Sequence, residues 1–580
     1  MVRGRRKTLV KVAVAAALSA SLCLGNVNVA DAKHLKDSKG DWLSGDFHQH
    51  TLYTDGSTTF DFVMAKNNEY GLDWWANSEH GGERNRDGNG DYWDDRGITI
   101  LGSYEESGGH QEMWRWQSLR DYVFPDILHT RAMYPEKRVF SGLEWYVPGH
   151  EHCSVGVVDE DATAVSAFAY LFDASLEDFS SAIELDSRMS EYGELSVDTK
   201  RNGHKDWVQN ATSVGYTEET PSEQHADAVA ASAWMQDKYD RGIVDDAWII
   251  FAHIERNGTW ATGGYNIEHF RDFNNAAPDI CYGFEGAPGH QVNKYRGFGN
   301  SDPDDDFGGT YGGAGYYTAK VGGLWDALLG EGRRWFNVAK SDYHRHYTAG
   351  GDDFYPGEYQ KTVVYTKDTD GDGEYSLKEI AQGLRSGNSY FVHGDLVSFL
   401  GFEAQDKNQK VVTGGELKSK GTIKNLKLKI KFKSPESNKC EEDDVFITSC
   451  AAPVVDHIDL IAGTISDQVI PGTPEYSQIK SDAKVIASFT GRDWEVDKEG
   501  YHTIVYHLKN VDKSMYFRLR GTNLGCGVAN ETGPATELPS ADYCSPLPDR
   551  LVTENMSIDG AQEAWDDLWF YSNPIFVYVD

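Results

Sequence analysis

Positive charge is in short supply: 55 Lys and Arg stand against 91 Asp and Glu, a formal net charge of −36. A field of that sign repels nucleic acid and anionic lipid, which excludes nonspecific binders of either. Long apolar runs are missing too. The run that starts at Val12 is shorter than the roughly 20 residues needed to span a bilayer, and no later segment is longer. Cysteine is sparse, seven in 580 residues, and short-period repeats and long low-complexity tracts are absent. Histidine is nearly missing from the C-terminal part: fifteen of nineteen fall between residues 33 and 352. The length exceeds one ordinary core and implies two or three domains, with the chemistry in the N-terminal part.

The chain opens with Arg3, Arg5, Arg6, Lys7 and Lys11 before Val12-Ala13-Val14-Ala15-Ala16-Ala17-Leu18, and reaches Ala30-Asp31-Ala32. This is the layout of a secretory signal over residues 1–32, with cleavage expected after Ala32 and a secreted or periplasmic product; a membrane anchor is the disfavoured alternative. Without residues 1–32 the chain loses five basic and one acidic residue, leaving 50 Lys and Arg against 90 Asp and Glu, a formal charge of −40. An anionic substrate then requires local compensation, which bound divalent cations supply. Export permits disulfides, and local pairing favours Cys440–Cys450 and Cys526–Cys544. Cys153 and Cys281 read as buried free thiols, with a third disulfide or metal ligation as alternatives.

Short apolar runs at Ile98-Thr99-Ile100-Leu101, Arg138-Val139-Phe140-Ser141-Gly142, Ala247-Trp248-Ile249-Ile250-Phe251-Ala252 and Phe336-Asn337-Val338-Ala339 look like buried strands. Each ends at or near a polar cluster, and their alternation with helical stretches suggests a parallel α/β architecture over residues 33–400. Thr220-Pro221-Ser222-Glu223 has capping-box spacing and opens a helix through about Tyr239. Residues 83–135 and 160–245 read as insertions that cover the site and shape its specificity. From 401 to 580 the pattern becomes alternating, as in Leu426-Lys427-Leu428-Lys429-Ile430-Lys431-Phe432, and predicts an all-β sandwich.

The clusters carry the chemistry: Asp46-Phe47-His48-Gln49-His50-Thr51 with Asp55-Gly56, then Asn77-Ser78-Glu79-His80, Gly142-Leu143-Glu144-Trp145, Gly149-His150-Glu151-His152, Phe251-Ala252-His253 and Ser341-Asp342-Tyr343-His344. Imidazoles and carboxylates at strand ends are the donors a multinuclear site for borderline-hard metals needs. Two histidines one residue apart converge on one ion with little backbone distortion, and the Asp-Gly turn lets Asp55 return to it.

Taken in order, these segments resemble the PHP (polymerase and histidinol phosphatase) superfamily of metal-dependent phosphoesterases. His48-Gln49-His50-Thr51 and Asp55-Gly56 resemble its first motif, with Thr54 in a serine place, and the segment ending Ser78-Glu79-His80 is similar to a motif that usually ends Thr-Asp-His. Phe251-Ala252-His253-Ile254-Glu255-Arg256 resembles its His-Pro-x-Arg segment, with Ile254 in the proline place. The resemblance implies a distorted βα barrel of about seven strands holding two or three ions of Zn, Mn or Fe. It implies His48, His50, Asp55, His80, Glu144, His253, Asp342 and His344 as ligands, with His152 favoured over His150 for a ninth. It further implies a hydroxide between two ions attacking phosphorus in line. Arg256 and Arg345 are candidates to bind phosphate and His346 to protonate the leaving group, with surface pairing and support of a ligand as the plainer alternatives.

Independently, the twelve residues from Asp368 to Glu379 meet the EF-hand loop pattern, with acids Asp368, Asp370, Asp372 and Glu379, Glu374 between them, and Gly373 at the sixth place. A strand, Thr362-Val363-Val364-Tyr365, precedes the loop in place of a first helix. A single strand–loop–helix calcium site that fastens this junction is expected. The whole reading is an exported metallohydrolase acting on a phosphate ester or related anionic small molecule. Its rival is a binding protein that keeps the fold, turns nothing over and recognises glycan or cell surface through the β domain. A nuclease is disfavoured by the acidic composition.

Overall fold

The computed structural model describes residues 39–101, 106–174, 220–256, 264–297, 309–442, 445–526, 528, 547–548, 550 and 553–580. The expected signal segment, residues 175–219 of the second insertion and Cys544 lie outside the described residues. Within them, no helix is long and apolar enough to cross a membrane.

The molecule is a mixed α/β structure. Its N-terminal strands are β1 (Gly40–Asp46), β2 (Trp74–Ala76), β3 (Arg138–Trp145), β4 (Cys153–Val158), β5 (Asp246–Phe251), β6 (Gly283–Ala287), β7 (Phe336–Ala339), β8 (Gln360–Lys367) and β9 (Ser389–His393). They lie side by side in the order β7-β6-β5-β4-β3-β2-β1-β8-β9. Three of the four expected runs form strands. Ile98-Thr99-Ile100-Leu101 does not, because a side chain takes over the pairing a neighbouring strand would provide: Gln117 accepts from Leu101 N at 2.8 Å and donates to Thr99 O at 2.9 Å.

The sequence predicts a parallel arrangement, and two strands depart from it: β8, antiparallel to both β1 and β9, and β4. β1, β2 and β3 run parallel, as do β5, β6 and β7, but β4 is antiparallel to both β3 and β5. Residues 146–152 between β3 and β4 are too few for the crossover a parallel pair requires. This places the start of β4 at the same rim as the carboxyl ends of β3 and β5. Glycine makes the close approach possible: a Cβ on Gly142 in β3 would lie 2.5 Å from Asn77 O and 2.7 Å from Val155 O on the flanking strands.

Beneath that rim, Phe47, Trp74, Phe140 and Trp248 meet edge to face, with ring centroids 4.7 to 6.0 Å apart. The two indoles lie over Gly45 and Gly156, where a side chain would collide with them. Burying roughly 200 Å² per indole contributes about 5 kcal/mol each before the cost of ordering. The far edge, β7, is held by side chains. Thr362 Oγ1 in β8 accepts from Ala339 N at 2.9 Å and donates to Ala339 O at 3.0 Å, while Asn573 accepts from Asn337 N at 2.8 Å and donates to Asn337 O at 3.1 Å.

The longer helices, of ten residues or more, are α1 (Phe60–Glu69), α2 (Phe124–Met133), α3 (Thr163–Phe172), α4 (Pro221–Asp240), α5 (Ile267–Ala276) and α6 (Leu377–Ser386). α4 starts at the capping box of Thr220 and Glu223, as its sequence predicts. Every residue of α3 is buried, so this part of the second insertion is core.

Beyond β9 the large sheet continues through Trp569–Ser572, Met515–Thr522 and His457–Thr464 to Lys484–Thr490. A separate five-stranded antiparallel sheet is centred on Ile423–Lys433. Its Leu426, Leu428, Ile430 and Phe432 are buried in one core with Ile458, Leu460, Phe517 and Leu519 of the large sheet. Cys440 and Cys450 are joined in a disulfide, and Cys153 and Cys281 are buried free thiols.

Candidate metal centre

The sequence clusters come together at the rim where β1, β2, β3, β5 and β7 end and β4 begins. Two loops are zipped by backbone bonds, His50 N to Tyr343 O and Asp342 N to His48 O, both 2.9 Å. The buried Asp46 carboxylate accepts from His48 N and Ser341 N at 3.1 Å each; burial raises its pKa to about 6. Glu79 fastens the first loop from the other side, accepting from the hydroxyls of Thr51 and Thr54 and, at 3.2 Å, from Asn77 Nδ2.

Glu144 is the hub. Its Oε1 lies 2.7 Å from His253 Nε2, 2.9 Å from His152 Nδ1 and 3.3 Å from His48 Nε2. Its Oε2 lies 2.7 Å from His80 Nδ1 and 3.3 Å from His50 Nε2. Asp342 Oδ1 faces His50 Nε2 at 3.2 Å and His48 Nε2 at 3.4 Å. Asp55, at the open mouth, lies 3.1 Å from His80 Nε2 and 3.4 Å from His344 Nε2. Thus nine predicted residues, His48, His50, Asp55, His80, Glu144, His152, His253, Asp342 and His344, form one connected cluster.

Several contacts lack the geometry of hydrogen bonds. The buried atoms His50 Nδ1, His80 Nδ1, Glu144 Oε2 and Asp342 Oδ1 make none, although their neighbours stand within ligand distance of one another. Polar atoms buried in this way are costly unless something else satisfies them. His253 and Asp342 also adopt positive φ, 28° and 50°, conformations that ordinary residues hold only under constraint and that concentrate at functional sites. The donor set fits divalent cations: imidazole nitrogens and carboxylate oxygens aimed at common points, with no thiolate.

The electrostatics are those of carboxylates crowded by imidazoles. Burial opposes charge on His48, but Glu144, Asp342 and Glu285 outweigh burial and Lys340 together, raising its pKa to about 9. Burial would raise Glu144, yet His80, His48 and His152 hold it well below the usual carboxylate range. His50 is pushed down by burial, then by His344 and His80.

Sequence reasoning missed the supports. Glu285 on β6 faces His48 Nδ1 at 3.1 Å and accepts from Ser154 Oγ at 2.7 Å. The fully buried Lys340 ammonium lies 2.6 Å from Glu285 Oε2 and 3.1 Å from Asp342 Oδ2. His290 reaches Asp342 Oδ2 at 3.3 Å and Asp353 Oδ1 at 2.6 Å. An acid between glycines in Gly283-Phe284-Glu285-Gly286 was the available signal for the first.

The remaining predicted residues lie elsewhere. Arg256 sits at the edge, 2.6 Å from Glu151 Oε2, and lines a cavity with His253, Ile254, Glu255, Glu285 and Pro288. Arg345 is exposed, its guanidinium turned toward Gly350. His346 is buried outside the cluster, its ring nitrogens 2.7 Å from Thr348 Oγ1 and 3.0 Å from Glu358 Oε2. His150 joins a different group, its Nε2 2.8 Å from His225 Nδ1. In the acidic loop, Asp368 accepts from Gly371 N at 2.6 Å and Gly373 N at 3.1 Å. Asp370 accepts from Asp372 N at 3.1 Å and Asp372 from Glu374 N at 2.8 Å. Glu379 folds back onto Thr369 and caps α6 through Ser376.

No family model and no curated protein matches the sequence. Solved structures similar to this chain include two metal-dependent phosphoesterase assignments. One is a two-domain protein containing a predicted PHP-like metal-dependent phosphoesterase from Bacteroides vulgatus ATCC 8482, 10% identical over 83% of this chain and 90% of that one, TM-score 0.30. The other is a provisionally assigned metal-dependent phosphoesterase from Bifidobacterium adolescentis ATCC 15703, 13% identical over 59% of this chain and 95% of that one, TM-score 0.25. Likeness at these scores defines neither fold nor chemistry, which rest on the geometry above.

Proposed function

We propose that this chain is a metal-dependent hydrolase of the PHP type, acting on a phosphate ester or related anionic small molecule. The observation that carries the reading is the meeting of nine imidazole and carboxylate side chains from six separate segments around Glu144, with buried donor atoms that no protein hydrogen bond satisfies. Closure of β1–β8 as a distorted barrel is part of the proposal, supported by the Thr362 bonds that bring β7 against β8.

His48, His50, Asp55, His80, Glu144, His152, His253, Asp342 and His344 would hold two or three ions of Zn, Mn or Fe. Such ions act as Lewis acids and lower the pKa of bound water. The chain's own residues prepare the donors. Glu144 offers one oxygen to His152 and His253 and the other to His80, the arrangement of a bridging carboxylate. Glu285, accepting from His48 Nδ1, turns Nε2 of that ring inward. Lys340 places its single positive charge between Glu285 and the outer oxygen of Asp342, so neither buried carboxylate lacks a cationic partner. Arg256, braced by Glu151, presents planar donors to phosphoryl oxygens at the cavity edge. Arg345 is a second, exposed candidate for that contact. His346 is left out of the chemistry because Thr348 and Glu358 engage its ring.

Calcium in the 368–379 loop, export, and a sandwich domain from about residue 401 complete the proposal. Three aspartates and a capping glutamate that accept backbone or side-chain hydrogens support the first, and the Cys440–Cys450 disulfide supports the second. Hydrolysis of phosphomonoesters and phosphodiesters by the full chain, before and after chelation and in His48→Ala, tests the catalytic reading. Turnover lost in both supports it. Metal binding without turnover across the ester panel would replace it with the binding-protein reading.

A further inference from the structure

A second group of imidazoles lies outside the centre. His150 stands in the turn between β3 and β4, His225 near the start of α4 and His269 at the third position of α5. Their ring centroids are 4.5, 4.6 and 5.0 Å apart, and one nitrogen from each ring lies within 4.8 Å of the others. We propose that His150, His225 and His269 form a second, mononuclear site for a divalent cation of the zinc class, separate from the centre at the strand rim.

The hydrogen bonds around the trio set the direction of its donors. His225 Nε2 lies 3.2 Å from Asp272 Oδ2, so it carries the ring proton and leaves the Nδ1 lone pair facing His150 Nε2 at 2.8 Å. Asp272 is itself fixed, accepting from Tyr476 Oη at 2.6 Å. A carboxylate behind one ring nitrogen, with the other nitrogen presented inward, is the arrangement that orients histidine toward a metal. His150 is held flat against Tyr265, with centroids 4.7 Å apart and planes 10° from parallel.

Within the trio, a hydrogen bond links only two of the three rings to each other. Among the described residues no hydrogen bond joins His269 to His150 or His225, yet its ring is packed against both. A cation would join the third imidazole to the other two. Binding through His269 Nε2 shifts that ring's proton to Nδ1 and gives up the 3.2 Å bond from Asn266 N. The second capping bond, Asn266 Oδ1 from His269 N at 3.1 Å, remains. Three nitrogen donors without thiolate suit zinc, cobalt or nickel, and leave a fourth position to water. The ion would tie α4 to α5 and to the turn that carries His152 into the rim.

The test uses the full chain with zinc and, separately, cobalt as probes. Zinc per chain is measured after equilibrium dialysis for the wild type, His225→Gln and His269→Gln, each also in a His48→Ala, Asp342→Asn background. We expect one fewer equivalent in each trio variant in both backgrounds, unchanged ester turnover where the rim is intact, and loss of one set of cobalt absorption bands. Equal zinc counts, with chelator midpoints within twofold, overturn the site. Should His225→Gln fail to fold, His269→Gln leaves the His225–Asp272–Tyr476 chain intact and decides the question. The doubly substituted background separates the outcomes: the trio count survives there even if the rim holds no metal, and its loss there counts against the trio alone.

Discussion

Replacing Glu144 by glutamine changes one charge and almost no volume at the point where five imidazoles converge. At an effective dielectric of about 20, a unit charge about 4 Å from another contributes about 4 kcal/mol. An ion of charge two doubles that figure, and the amide oxygen keeps part of it as a dipole, so about 3 kcal/mol is the floor for Glu144→Gln. That is a loss of more than about 100-fold in affinity for a bridged ion, at about 1.4 kcal/mol per factor of ten. The side chain is only 1% exposed and contacts His253, His152 and His80 at 2.7 to 2.9 Å, so water has little room to replace the lost charge. Competition against a chelator of known affinity, with metal per chain read by mass spectrometry, measures the change, and circular dichroism checks that the fold persists. A variant that keeps the wild-type metal count, with affinity within tenfold, would refute the bridging role and with it the proposed centre.

Three further outcomes follow from the same geometry. Asp326→Asn should cost about 3–5 kcal/mol in denaturant unfolding, because the buried carboxylate accepts from Arg518 Nε at 2.8 Å, Arg518 Nη2 at 2.7 Å and Tyr516 Oη at 3.0 Å; a loss under about 1 kcal/mol contradicts the buried-pair account. Gly142→Ala should cost about 1–3 kcal/mol and weaken metal binding as well, since the added methyl forces Asn77 or Val155 to move two residues from Glu144; unaltered stability and metal affinity would mean the strands separate freely. Calcium at 100 times its Kd should stabilise the wild type by about 2.7 kcal/mol, but not Glu379→Gln, whose carboxylate closes the loop; an unmoved melting temperature in millimolar calcium removes the calcium site.

How far the sequence predicted the centre depended on whether a residue's chemistry shows in its local context. His48, His50, Asp55, His80, Glu144, His253, Asp342 and His344 sit beside apolar runs, so their strand-end position is readable from a window of a few residues. The β strand at Ile423–Lys433 is equally legible, since alternating lysine and aliphatic residues leave one buried face. Lys340 and Glu285 are different. A buried ammonium is affordable only because Glu285, from a distant strand, meets it together with the nearby Asp342, and no spacing rule records a meeting between β6 and the loop after β7.

The choice between His150 and His152 shows where local reading stops and what resolves it. Both lie in one short turn, and either could face inward by spacing. Strand direction separates them. Because β4 runs antiparallel to β3, the residue just before Cys153 enters at the rim, and His152 meets Glu144 at 2.9 Å. His150, two residues earlier, is left on the side of α4 and α5, where it meets His225 and His269. The reversal that corrects the parallel-sheet expectation therefore divides a His-Glu-His segment between two groups of donors. Glu151 between them turns its carboxylate toward His253 Nδ1, 3.4 Å away, and so braces the rim from behind. A local inversion of one strand has thus given adjacent residues three different tasks, which the linear order of side chains alone would not distinguish.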